Sequence, residues 1–314
     1  MRSPSRPSPA LRVAVRAGAA GALATAVAVP LLRRRARIPA SVTIAACAGG
    51  PLAIAVLRPR TRGRDVALYA AQMWGFIMAH EIPYDDPERL RGRLRVRYPI
   101  ATDRAIGLGK LPNARLQRAL ARLPGVGGLN RFLAWVHWLW FLEPYLALAL
   151  ILLRHNRRFP RAARQMAAVF DIGCAVYFIA PTAPQWWSSE QGIAGEEVRR
   201  IMIGVGEETW GSAWPGMYRA LGSNPWAAMP SLHFATALTA ALSLSEAGRA
   251  EGALGWGYAL SLGFALVYLG EHYVTDLAAG ALLVAAVRRG EPLAEPLVLR
   301  VNGVLQNLER LASG

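Results

Sequence analysis

Eight apolar runs divide this sequence, at 17–32, 38–57, 66–80, 132–153, 163–181, 227–244, 254–270 and 274–287, and most of its arginines stand between them. A bilayer core asks for about 20 apolar residues per crossing helix, and it offers no water to unpaired backbone groups, so a chain laid out this way folds as membrane helices. Composition agrees. With 54% hydrophobic residues, 18% charged and a mean hydropathy of +0.24, the chain is too apolar for disorder and unlike a soluble globule. The expected fold class is all-α, a polytopic membrane helical bundle. Several runs fall short of a full span, with 66–80 the weakest of the later ones, and Pro51 after Gly49 and Gly50 predicts a break or kink in the second.

Net charge is +16, from 36 basic and 20 acidic residues. In a soluble protein that excess would suggest nucleic acid, but here the arginines separate apolar spans and are not interleaved with stacking aromatics, so no nucleic-acid partner is expected. Only Lys110 is a lysine, so a preference for Arg over Lys carries no weight at any one site. Cys47 and Cys174 each lie inside an apolar run, which leaves neither a disulfide framework nor a cysteine zinc site.

The first 16 residues are basic, and the 17–32 run resembles a signal peptide. Arg33, Arg34, Arg35 and Arg37 follow it directly and make a poor cleavage region, so a retained anchor is expected. Arg154, Arg157, Arg158, Arg161 and Arg164 crowd one loop, and Arg249, Arg288 and Arg289 alternate onto the same side, which the positive-inside rule makes cytoplasmic. The long loop 182–226 then faces outward. Two regions fit less well: the 33–37 cluster falls outside if the first run crosses, and the outward 81–131 segment is rich in arginine. Residues 88–97 read as an interfacial amphipathic helix on anionic headgroups, or as a supplier of phosphate contacts to a neighbouring site. The expected organisation is a basic segment with anchor helices over 1–65, a membrane-embedded core over 66–290 and a cytoplasmic tail over 291–314.

Two of the five histidines stand in distinctive settings. Ala227-Ala-Met-Pro-Ser-Leu-His-Phe-Ala235 opens one span, and Tyr268-Leu-Gly-Glu-His-Tyr-Val-Thr-Asp-Leu-Ala-Ala-Gly280 joins the next two, so His233 and His272 share a membrane face. Asp276, four residues after His272, projects from the same helix face, where a carboxylate fixes an imidazole tautomer and supports the charge it gains as base or nucleophile. Pro230 suits a first helical turn, which would set Ser231, His233 and free N–H groups at a positive helix end fit for phosphate. Two histidines and an aspartate also make a facial metal set, although no further ligand has comparable spacing. Glu143 and Asp171 fall inside spans, where carboxylates are costly, and at similar depth they would share a proton or bond a neighbouring helix. His80 and His137 read as lying near the outer surface, and most tryptophans as an interfacial belt.

Pro230-Ser-Leu-His233 followed by Gly270-Glu-His-Tyr-x-x-Asp276 resembles the second and third signature motifs of the type 2 phosphatidic acid phosphatase superfamily, most closely its inositol phosphorylceramide synthase-like branch. Pro181-Thr-Ala-Pro-Gln-Trp-Trp187 and Asp103-Arg-Ala-Ile-Gly-Leu-Gly-Lys-Leu-Pro-Asn-Ala-Arg-Leu-Gln117 are similar to that branch too. The resemblance implies a six-helix phosphatase or phosphotransferase core in which His272 attacks phosphorus, Asp276 orients it and His233 protonates the leaving alcohol. It implies neither metal nor other cofactor. The phosphatase form of the third motif carries arginine where this chain has Leu266, the second has glycine where it has Leu232, and the first is not matched. Ser231, Lys110, Arg115, Arg118 and Arg131 are therefore the candidate substrate-binding residues. These departures fit the synthase-like branch, whose substrates are phosphodiesters. The implied activity is transfer of a phosphoryl or phosphodiester group of a membrane phospholipid to water or an alcohol acceptor, at the outer face of the plasma membrane. The alternative is a non-catalytic transporter or scaffold that has kept the fold.

Overall fold

The computed structural model describes residues 8–221 and 224–313; residues 1–7, 222–223 and 314, and with them the start of the basic N-terminal segment, lie outside it, as does the Arg219 side chain. The chain is an all-α polytopic helical bundle. Among the described residues, extended pairing is limited to two isolated bridges, Arg95 with Thr182 and Thr182 with Ala227. Two compact units are built from this chain, 1–85 with 289–314, and 86–288.

The first unit contains α1 (Pro9–Ala36), α2 (Ala40–Leu57), α3 (Arg62–Glu81) and the final part of the long helix that ends the chain. Ser8 caps α1 by accepting from the Leu11 N–H, with Pro9 in the first turn, where no backbone donor is missed. The expected kink or break at Pro51 is not a break: α2 continues through the proline as one helix that packs against both α1 and α3, and such neighbours support a membrane helix across a proline. The 33–37 cluster is also explained. Arg33 is buried and pairs with Glu81 at 2.8 Å and Asp85 at 3.0 Å, while Arg34 takes the second Asp85 oxygen. Two of the four arginines are thus neutralised within the protein.

The second unit holds α4 (Pro87–Arg91), α5 (Arg97–Ile106), α6 (Pro112–Leu120), α7 (Val126–Leu139), α8 (Glu143–Arg154), α9 (Phe159–Ile179), α10 (Gln185–Glu190), α11 (Ile201–Trp210), α12 (Trp214–Leu221), α13 (Leu232–Ala247), α14 (Arg249–Tyr268) and the start of α15 (Val274–Ser313). Among the described residues, only α1, α2 and the stretch Asn156–Ile179 are singly long and apolar enough to cross a membrane, and α7 with α8 qualify together. The expected single run at 132–153 is broken there, with a 57° bend between the two helices. Pro144 occupies the first turn of α8, and its missing N–H marks a helix start within an apolar run. α13 has 16 residues, and α14 buries much of its surface on its neighbours.

α13 and α14 approach closely because small residues line their contact. Ala237, Ala241 and Ala259 are buried, and a Cβ on Gly255 would come within 2.7 Å of the Ala241 Cα. Leu133, Val136, Leu262, Leu266 and Leu269 complete this core. The expected amphipathic helix over 88–97 does not form. α4 ends at Arg91, and the Arg95 backbone is engaged by Pro181 and Ala183, which ties this segment to the 181–184 loop. At the far ends of α13 and α14, Arg161 and Arg288 both pair with Glu246, and Arg154 with Glu251, so the arginine-rich loops share one end of the unit.

Candidate active site

The turn between α14 and α15 is fixed by its backbone before any catalytic side chain is considered. Gly270 has φ of 81°, and a Cβ there would lie 2.6 Å from the Arg199 carbonyl, so glycine alone permits the turn. The N–H groups of Glu271 and His272 both donate to the Leu266 carbonyl. Asn113, wholly buried on α6, donates its amide to the carbonyls of Val267 at 2.7 Å and His272 at 2.9 Å. Asp103 on α5 accepts from the Val274 and Thr275 N–H groups, which are orphan donors of the first turn of α15. The segment 103–117 thus acts as a clamp on the loop that carries His272.

Asp276, in the first turn of α15, points back at that loop. Its Oδ2 lies 3.1 Å from His272 Nδ1 and accepts from the Tyr273 N–H at 3.0 Å. Asp276 is wholly buried, and His272 retains 5% exposure. A carboxylate only accepts, so Nδ1 carries the proton and Nε2 presents its lone pair on the opposite side of the ring. His233 Nδ1 stands there, 3.3 Å from His272 Nε2. His233 is the second residue of α13, whose cap is Ser231, with its Oγ accepting from Phe234 N–H. The Ser231 N–H donates to the Asp276 carbonyl at 3.0 Å, which links the two helix starts directly. Pro230 lies ahead of the cap, not in the first turn, in a cis peptide bond with Met229. Thr182 holds this approach by bonding the Trp226 and Ala228 backbone.

Two features were not anticipated. His137, expected near the surface, is buried and stacks on His233 with centroids 5.1 Å apart and an interplanar angle of 27°, while Trp140 packs on His233 at 4.1 Å. The His137 Nδ1 has no hydrogen-bond partner among the described residues. Arg200, ahead of α11, grips Glu271 through both oxygens at 2.9 Å, beneath Trp186 at 4.1 Å and Tyr218 at 5.2 Å. Burial alone would raise the Glu271 carboxyl, but the Arg200 guanidinium beside it holds it below the usual carboxylate range. Glu271 feels His137 and His272 as well, so all these groups share one electrostatic neighbourhood.

The candidate basic residues are surface groups. Lys110, Arg115 and Arg131 are exposed, Arg115 bonding the Leu108 carbonyl, and Arg118 pairs with Glu196 at 3.2 Å. Leu266, where the resemblance would have an arginine, is wholly buried in the α7–α13–α14 core. His80 lies on α3 beside Phe76. Glu143 acts electrostatically on Tyr258 of α14, whereas Asp171 is exposed on α9 beside Cys174, so the two acids look to different neighbours. Among the described residues, no three of His, Cys, Asp and Glu are grouped as a metal site.

Comparison with known proteins adds one finding to this geometry: the family model of the PAP2 superfamily matches residues 100–288, more than half of the chain. No curated protein and no solved structure matches the chain. The match takes in both helix starts that carry the paired histidines, together with the clamp behind them, and the chain belongs to the PAP2 superfamily of phosphatase-type membrane enzymes.

Proposed function

We propose that this protein is an integral membrane lipid phosphatase or phosphotransferase that works on a phospholipid or phosphodiester headgroup through a phosphohistidine, in the manner of the inositol phosphorylceramide synthase-like branch. The observation that carries the reading is the line Asp276–His272–His233, with contacts of 3.1 and 3.3 Å. His272 Nε2 attacks phosphorus while Asp276 holds the Nδ1 proton and stabilises the charge that the ring acquires. The P–O bond to the leaving alcohol breaks, and His233, protonated, gives that oxygen its proton. In the second half, neutral His233 takes a proton from water or an acceptor alcohol, whose oxygen attacks phosphorus and breaks the N–P bond. The free enzyme is restored, with every proton accounted for.

Ser231 sets the position of His233 as helix cap, and Lys110, Arg115, Arg118 and Arg131 form a basic surface that draws anionic headgroups toward the site. The arginine-rich end of the unit is cytoplasmic in this reading, and the histidines work at the opposite, extracytoplasmic face of the plasma membrane. The test is incubation of purified protein with labelled candidate phospholipids, with and without alcohol acceptors, followed by product separation. Release or transfer of the headgroup supports the reading, and the acceptor-dependent product tells transferase from hydrolase. No turnover of any lipid, with no label trapped on the protein, would leave a non-catalytic membrane protein of the same fold.

A further inference from the structure

Arg200 stands out among the arginines because of how it is held. Gln117 bonds both the N–H and the carbonyl of Arg199, at 2.9 and 2.8 Å, and the Ile201 N–H donates to the Leu269 carbonyl, so the backbone on either side of Arg200 is tied to the end of α14. The guanidinium is walled by Trp186 and Tyr218 and engages Glu271 with the planar two-bond geometry that also fits a phosphate. Arg200 lines an open cleft of about 470 Å³ with Ser189, Glu190, Glu197 and Arg199, so the arginine of the pair borders space open to the outside, while Glu271 lies buried behind it. Glu271 directly precedes His272. A buried ion pair is a poor source of net stability, since desolvating both charges offsets most of their attraction, so stability alone is a weak reason for this one.

We propose that Arg200 is the phosphate-binding residue of the site and that Glu271 is its resting ligand, a carboxylate that the substrate phosphate displaces. This rests on the phosphoryl-transfer reading above. In the empty site the Glu271 carboxylate keeps Arg200 desolvated and aimed; when a phosphate arrives, its two oxygens replace those of Glu271 and the phosphorus comes to lie beside His272. The arginine missing at Leu266 is thereby supplied from the segment ahead of α11. No covalent bond changes in this exchange.

The test is binding of inorganic phosphate to the full-length protein in detergent micelles, followed by titration calorimetry. Arg200→Gln should weaken binding by about tenfold or more, the value of a lost charge-assisted pair, and Glu271→Gln should tighten it several-fold by removing the internal competitor. Because Arg200→Gln leaves Glu271 buried without its counter-ion and can unfold, Arg200→Gln/Glu271→Gln provides an uncharged pair and should bind as weakly as the single arginine variant. Wild-type affinity in either Arg200 variant overturns the proposal, as does Glu271→Gln weakening phosphate as much as Arg200→Gln. Arg200-dependent binding with no label on His272 overturns the nucleophile and keeps the clamp. No phosphate binding by the wild type overturns both.

Discussion

The imidazoles of His233 and His272 meet edge to face, 63° apart, with Nδ1 of the first 3.3 Å from Nε2 of the second. One nitrogen of each ring therefore meets the other across a single hydrogen bond, and in the proposed mechanism these two nitrogens turn to the phosphorus and its leaving oxygen. His272→Ala should lower turnover on the order of 10³-fold, since it removes the attacking nitrogen. His233→Ala should slow a lipid alcohol far more than a nitrophenol leaving group, because only the poor leaving group needs a proton. Equal slowing of both substrates would remove His233 from the acid role.

Asn113 touches neither histidine ring, yet its amide holds the carbonyls of Val267 and His272. Asn113→Asp keeps the shape and loses the donor. Turnover should fall about 10- to 100-fold through misplacement of His272, and the unfolding midpoint should drop because two buried carbonyls lose their partner. Phosphate affinity, measured in the same preparation, should change little. Full activity with a lowered midpoint would make Asn113 a structural residue only.

Much of this site was legible because its signals are local. The four-residue spacing of His272 and Asp276 reads as one helix face; in the structure His272 lies in the loop ahead of α15 and only Asp276 is helical, but the first turn of α15 still brings the two together, and His233 joins them through the alternation of spans. Arg200 was invisible for the opposite reason: it meets Glu271 across 71 residues, and one arginine among so many carries no mark of the pairing. Asn113 and Gln117 were quoted within a motif, but a side chain that serves backbone carbonyls has no partner residue to read. The bend at α7–α8 is marked in the sequence by Glu143 ahead of Pro144, a helix-start signal that a single apolar run over 132–153 hides as a mid-span acid. At 88–97, alternating arginines suggested a helix, and the backbone needs of the 181–184 loop prevailed.

Acid should loosen the Glu271–Arg200 pair. The folded carboxyl lies below its ordinary value of 4.5, so its contribution is present above that pH and is lost as pH falls through the lower folded value. The unfolding midpoint of the wild type in micelles should decline between about pH 5 and pH 3, and that of Glu271→Gln, though lower at neutral pH, should decline less over the same range. Parallel decline in both proteins would assign the acid sensitivity to other carboxylates.

Orientation can be tested at positions that the structure leaves open. Gln191 follows α10 and Asn156 lies in the arginine-rich loop; both are exposed, whereas native Cys47 and Cys174 are buried and can be replaced to give a silent background. Arginines concentrate on the side from which translocation is disfavoured, so the loop 154–164 should stay inside while the 185–200 segment, with its glutamates, is carried out. An impermeant thiol reagent applied to intact cells should label Gln191→Cys and spare Asn156→Cys, with both labelled after lysis. The reverse pattern would turn the site to face the cytoplasm, and the substrate would then have to be drawn from the inner leaflet.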